Sequence, residues 1–476
     1  MPPEREFVAC RRWLAVFALI FFTVACARAD PAAGIGALMT ALSARGQFNG
    51  AVLVAQEGRI IYRGGFGKAN FQTGADFTPG TPSNIGSLAK AFTAMAVMIL
   101  AERNKLQYDD PVAKYIPEFS SATHLGRITL RQLLTHTSGM PDYGDLAIDD
   151  SGLSPQGLIR ALLAKDDQFS KAGWKYRYSN PGYALLAIVV SRVSGKSFGD
   201  FLDREIFQPA GMSSSFVYDR RGKKRGQSAI GYGQFGQVDD DSPTQIPGDG
   251  GIYSTVDDLF RWDRALYAQK LVRPGTLAEA FTPGNVGEGH STYGFGWNVA
   301  EDSGGKYVWH TGSTAGFRAF IERRLGPKIT AILLTNRGNS KRMEINAAIQ
   351  NILAAKPYAL PRQSGAEKLY RAIHDSGIQG ALKMYEDLRG DADYDFGEQE
   401  LNTLGYQLLG DGKAGDAVAI FRLNTAAHPA SSNAFDSLGE AYSRSGEKAL
   451  AIQSYQTAVK LDPGNGHAAA MLKQLK

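Results

Sequence analysis

Cysteine is nearly absent from this chain. There are two in 476 residues, Cys10 and Cys26, and both precede Asp30. A chain starting at Asp30 has no thiol nucleophile and no disulfide, so no redox compartment can be read from pairing. Metal patterns are missing too: there is no His-Glu-x-x-His and no close cysteine pair. Asp391-Ala392-Asp393-Tyr394-Asp395 looks like the start of a calcium loop. Phe396, however, stands where that loop needs glycine and Asn402 where it needs glutamate. No cofactor is implied.

Charge of one sign is also scarce. The formal net charge is +5. Residues 1–29 carry +2 of it (Arg5, Arg11, Arg12 and Arg28 against Glu4 and Glu6), leaving +3 scattered over the rest. That is too mild for a nucleic-acid partner. The long apolar run, Trp13 to Val24, is too short to span a bilayer comfortably. It follows Arg11-Arg12 and precedes a small-x-small site, Ala27-Arg28-Ala29, so residues 1–29 read as an export signal. The expected location is periplasmic or extracellular. Membrane attachment arises only if the leader stays or Cys26 is lipidated; in Thr23-Val24-Ala25-Cys26, Thr23 occupies the usual leucine position of a lipoprotein box.

With 43% hydrophobic and 21% charged residues, the composition is that of a folded protein, and the length suits two or more domains. Three short segments carry chemistry. In Ser87-Leu88-Ala89-Lys90, a turn-rich run leads into a stretch from Leu88 to Glu102 without Pro or Gly, read as a helix. Leu88, Phe92, Met95 and Ile99 share one face. Lys90 sits one turn after Ser87 and can reach its hydroxyl. A serine needs such a base to become a nucleophile, and a lysine that loses its charge can be one. Alone, Ser87 would read as an N-cap, and Ser-x-x-Lys recurs at Ser303 and Ser445.

Tyr178-Ser179-Asn180 lies on a loop before a helix over Ala184 to Val193, and it is the single Tyr-x-Asn of the chain. Near a lysine, Tyr178 can be held as phenolate or can shuttle a proton. Asn180 offers an amide to orient the lysine or a substrate carbonyl. The chain's one His-Thr-Gly, His310-Thr311-Gly312-Ser313, follows a β-like run and precedes two strands, 318–323 and 329–335. Gly312 permits close approach of a ligand or another backbone. The N–H groups of Ser313 and Ser87 could form an oxyanion hole. Gly195-Lys196-Ser197-Phe198-Gly199 imitates a nucleophile elbow but lacks the preceding strand, and Ser197 reads as a helix start.

This set resembles the serine β-lactamase and penicillin-binding-protein superfamily, in its class C-like branch with the family VIII esterases, D-aminopeptidases and DD-carboxypeptidases. The resemblance runs over roughly residues 35–355 and includes Thr129–Pro141 and Gly250–Leu259. It implies Ser87 as acylated nucleophile and Lys90 with Tyr178 as proton-transfer pair. Asn180, His310, Gly312 and Ser313 would meet the substrate and its oxyanion. It also implies an α+β fold, with an antiparallel sheet covered by helices and a helical lobe carrying the tyrosine motif. One departure is His310, where the lactamases and carboxypeptidases carry a lysine. A histidine near its ordinary pKa is only partly charged at neutral pH. This favours ester or amide hydrolysis over efficient β-lactam turnover.

The expected domains are residues 30–356, a linker at 357–365 and an all-α tetratricopeptide-repeat domain at 366–476. Leu404-Gly405 recurs as Leu438-Gly439, Ala417 as Ala451, Phe421 as Tyr455 and Pro429 as Pro463, all at a 34-residue period. A degenerate unit at 367–388 would precede these repeats and a cap at 467–476 would follow. Such a stack either offers a concave surface to a peptide or protein, or packs on its neighbour and mediates self-association. Two functions follow. One is an exported serine hydrolase acting on a small ester, amide or peptide. The other is a partner-binding scaffold whose hydrolase-like domain is inert.

Overall fold

The computed structural model describes residues 30–146, 154–218, 226–240 and 246–475. The leader, with Cys10 and Cys26, lies outside the described residues. Among those described, no helix is long and apolar enough to cross a membrane.

Helix α1 (Pro31–Ala44) leads into the hairpin of β1 (Gly50–Gln56) and β2 (Arg59–Phe66). Glu57 and Gly58 turn the chain with φ of 49° and 78°, the left-handed pair whose twist matches a two-residue hairpin. After α2 (Ala89–Glu102), α3 (Asn180–Ser194) and α4 (Val256–Tyr267) come β3 (Asn298–Asp302), β4 (Gly305–Thr314), β5 (Phe317–Arg324), β6 (Ile329–Thr335) and α5 (Arg342–Leu353). The strands form one antiparallel sheet in the order β2-β1-β6-β5-β4-β3. The first strands therefore pair with the last, Gly50 opposite Thr335.

Strand β1 is apolar at almost every position because both faces of the sheet are covered. Val52 and Val54 pack with Phe320 and Leu333 against Ile35, Leu38 and Met39 of α1 and Ile345 and Ile349 of α5. Ala51, Leu53 and Ala55 face the other core with α2, α3 and α4. Helix α2 is buried all round from Ala89 to Leu100, wider than the single stripe read from its periodicity. Phe92 stacks on Trp262 of α4 with centroids 4.1 Å apart, locking α2 to α4 on the same face of the sheet. These elements confirm the α+β fold expected from the sequence.

Beyond the sheet lies a helical region of α6 (Gly365–Leu388), α7 (Glu398–Gly410), α8 (Ala414–Ala427), α9 (Ser432–Arg444), α10 (Lys448–Leu461) and α11 (Gly466–Leu475), with its own core. Helix α6 is broken at Gly377 (φ 73°), so it is a helix pair in one run. The repeated glycines lie where paired helices touch. A Cβ at Gly405 would come within 2.4 Å of the Phe421 ring, and one at Gly439 within 2.8 Å of Tyr455. Gln363-Ser364, at the end of the expected linker, pair in parallel with Tyr394-Asp395. Asp393 and Asp395 answer Arg45 and Lys341, and no cluster of potential metal ligands occurs among the described residues.

Candidate active site

Ser87 lies not at a helix N-cap but inside a 3₁₀ turn, Gly86–Leu88, that feeds α2. One turn on, the Lys90 ammonium is fully buried and donates to three acceptors: Ser87 Oγ at 3.0 Å, Asn180 Oδ1 at 2.7 Å and the Asp249 carbonyl at 2.8 Å. Burial destabilises its charge and lowers its pKa to about 8, although Asp249 and Asp142 pull the other way. A neutral amine keeps two N–H groups and gains a lone pair. Asn180 Oδ1 and the Asp249 carbonyl can only accept, so they retain the two N–H groups. The lone pair is then left facing the Ser87 hydroxyl.

Ser179 caps α3 by accepting from Gly182 N–H. This fixes its neighbours Tyr178, on the preceding loop as expected, and Asn180, the first helical residue. Lys90 Nζ sits 4.9 Å from the Tyr178 ring centroid, and the Ser87 side chain lies near enough to the phenol to lower its pKa. Burial pushes the phenol well above its usual range, more strongly than the Ser87 contact lowers it. Of the two states left open for Tyr178, the neutral phenol is the one favoured here.

Gly86 (φ +50°) and Gly312 let β4 close onto this turn. A Cβ on Gly86 would lie 2.7 Å from Ser313 N, and one on Gly312 only 1.8 Å from the Ile85 carbonyl. Of the two roles open to Gly312, close backbone approach is the one observed. It places the Ser313 N–H beside the turn that carries Ser87.

His310 departs from expectation. It is 2% exposed and both ring nitrogens have partners within the protein. Nδ1 donates to the Thr311 carbonyl at 2.6 Å, and Nε2 accepts from the Tyr293 hydroxyl at 2.8 Å. Burial, then the nearby Lys90, lowers its pKa to about 3. The expected partial charge is therefore absent at neutral pH. The ring is tied to Tyr293, whereas the sequence reading had it as a substrate contact.

Four further residues complete the site. Asp142 accepts from the Asn180 backbone and side chain, both at 3.0 Å, which turns Asn180 Oδ1 toward Lys90. His136 (φ 53°) accepts from Ser179 N at 3.1 Å and packs its ring 4.2 Å from that of Tyr178. Burial keeps it neutral. Tyr293 holds His310. Arg342, at the start of α5, donates to Ser313 Oγ at 2.8 Å, while its Nε is buried without a partner. Desolvation, then neighbouring Arg318, lowers the Arg342 pKa to about 10. Ser197, by contrast, caps a short helix by accepting from Asp200 N, as its sequence suggested.

Comparison with known proteins points the same way. A family model described as Beta-lactamase matches residues 35–356. Penicillin-binding protein 4* of Bacillus subtilis (strain 168) is 33% identical over 363 residues, 71% of this chain and 79% of that protein. A D-aminopeptidase of Brucella ovis is 28% identical over 323 residues, 65% and 60% of the two chains. Among solved structures, the octameric penicillin-binding protein homologue from Pyrococcus abyssi superposes with a TM-score of 0.61 at 26% identity, covering 72% of this chain and 81% of that one. EstCE1, a hydrolase with promiscuous acyltransferase activity, shares the fold with a TM-score of 0.59 at 22% identity over 69% and 99% of the two chains.

Proposed function

Since this chain belongs to the Beta-lactamase family of serine hydrolases, we propose that it is an exported acyl-enzyme hydrolase of esters or amides, with Ser87 as nucleophile. The observation that carries this reading is the contact of 3.0 Å between Ser87 Oγ and a lysine whose charge burial destabilises. Neutral Lys90 takes the Ser87 proton as Oγ attacks the carbonyl carbon. The N–H groups of Ser87 and Ser313 hold the oxyanion. Tyr178, a neutral phenol, relays the proton to the leaving oxygen or nitrogen, and water then cleaves the acyl-enzyme by the reverse path. Intact Ser87, Lys90 and Tyr178 weigh against the inert scaffold. The helices over 398–461 fit two tetratricopeptide units, with 365–388 as a degenerate third.

Neutral His310 cannot meet a substrate carboxylate, but Arg342 can, from its place against Ser313. We therefore extend the substrate class to esters and amides with a free carboxylate on the leaving-group side. Arg342→Met raises KM for a carboxylate-bearing depsipeptide by about 10- to 100-fold, the loss expected for a charged hydrogen bond. Steady-state kinetics with and without the carboxylate check this. Gly312→Ala drives a Cβ into the Ile85 carbonyl, costing about 1–3 kcal/mol of stability. It also displaces the Ser313 N–H and slows acylation by about 10²-fold. Thermal melts and burst kinetics read the two effects separately.

The direct test is intact-mass spectrometry after exposure to a fluorophosphonate and, separately, to a penicillin. The reading requires one adduct, mapped to Ser87. A folded protein that takes up neither reagent would return the scaffold reading to first place.

A further inference from the structure

The helical region grips the two segments that flank the end of β4. The first is residues 231–239. Its Asp239 carbonyl accepts from Gly316 N at 2.7 Å, just past β4. From the helical side, Gln234 Nε2 donates to Ser364 Oγ at 3.0 Å, and Phe235 packs on Tyr370 with centroids 4.6 Å apart. The second is Asn336–Lys341, which joins β6 to α5. The Arg337 guanidinium and the Asn339 amide each bond a different oxygen of one carboxylate, Glu367, in the first turn of α6. Lys341 Nζ donates to Asp395 Oδ2 at 3.0 Å. The next residue is Arg342, whose guanidinium reaches Ser313 Oγ. The two segments are also tied together, Tyr232 N to the Asn336 carbonyl at 3.1 Å and Gly338 N to the Tyr232 carbonyl at 2.9 Å.

Glu367 is 13% exposed and lies at the centre of this clamp. A carboxylate held by a guanidinium and an amide from one short loop fixes that loop in direction as well as position. Among the described residues, none of the helical region hydrogen-bonds Ser87, Lys90 or Tyr178. The helical region thus reaches the site through Arg342 and the end of β4, not through the nucleophile or the base.

We infer that Glu367 is a positioning residue for substrate selectivity: by anchoring Arg337 and Asn339 it sets the Arg342 guanidinium against Ser313, so that the helical region governs affinity for carboxylate-bearing substrates. The inference rests on the reading of Arg342 in the proposed function. Whatever shifts α6, including a partner seated on the helices, would retune selectivity without altering nucleophile or base.

The test uses the full chain with two substrates, a depsipeptide with a free carboxylate and a neutral p-nitrophenyl ester. Glu367→Gln should raise KM for the first about tenfold. It should leave kcat, the neutral ester and the pH profile within twofold of the parent. Asn339→Ala removes one of the two anchors without exposing a charge and should move the same ratio in the same direction, so it serves if Glu367→Gln does not fold. Equal effects on both substrates, or none, overturn the inference. Two controls separate the layers. If Arg342→Met changes the ratio and the Glu367 and Asn339 variants do not, the clamp alone is wrong. If Arg342→Met changes nothing, the reading of Arg342 is wrong. If activity survives Ser87→Ala, the hydrolase reading itself fails.

Discussion

Ser87→Ala lowers kcat/KM by about 10⁴- to 10⁶-fold and abolishes every covalent adduct, because among the described residues Ser87 carries the one hydroxyl that Lys90 bonds. Ser179 is buried and spends its hydroxyl on Pro141 and on capping α3. The alanine variant keeps the fold: Ser87 makes no capping bond, so its loss removes no helix stabiliser. Circular dichroism and a thermal melt should match the parent. Turnover near the parent level would dismiss the acyl-enzyme.

Lys90→Gln is nearly as severe, about 10³- to 10⁵-fold in kcat/KM. Glutamine is the informative replacement. Its amide keeps two N–H groups for Asn180 Oδ1 and the Asp249 carbonyl, whereas Lys90→Met removes the donor from both of these part-buried acceptors. The pH profile then identifies the base. Lys90 must be neutral to accept the Ser87 proton, so kcat/KM for the parent rises about tenfold per pH unit and levels near pH 8. Below that pH the ammonium form dominates and activity falls. His310, with its pKa lowered to about 3, adds no shoulder between pH 5 and 8. The residual activity of Lys90→Gln should lose the rise toward pH 8. An inflection near 6.5 that vanishes in His310→Gln would reassign the base.

The contact between Ser87 and Lys90 was legible because the two residues lie one helical turn apart in the chain, and helical spacing is a local property. Tyr178 and Asn180 were legible as a short motif at a loop-to-helix junction. The residues that sequence reasoning missed act across gaps that no local pattern encodes. Asp142 lies 38 positions from Asn180, Tyr293 lies 17 from His310, and Arg342 lies 29 from Ser313. His136 stood in plain view within Thr129–Pro141, yet nothing in that stretch announces that its ring lies against Tyr178. His310 was misjudged in charge because an ordinary pKa assumes water around the ring, and burial is a property of the fold. The 34-residue repeat predicted the helix pairs, since Gly405 and Gly439 mark real close approaches. It carried no hint that Glu367 reaches back to the loop before α5.

The pairing of Gly50 with Thr335 also sets a schedule for synthesis. The central strand β1 leaves the ribosome long before its partner β6 exists. At roughly 5–20 residues per second the wait is about 15–60 s. Throughout that interval β1 has one open edge, and α2, which ends up buried on every side, has no sheet to cover it. The nascent chain therefore depends on being shielded while the middle of the polypeptide is made. The helical region, whose contacts are mostly between neighbouring helices, can fold as it emerges. For the chain expressed from Asp30 without the leader, slowing translation within residues 67–328 should aggregate the protein, and slowing it after 365 should not.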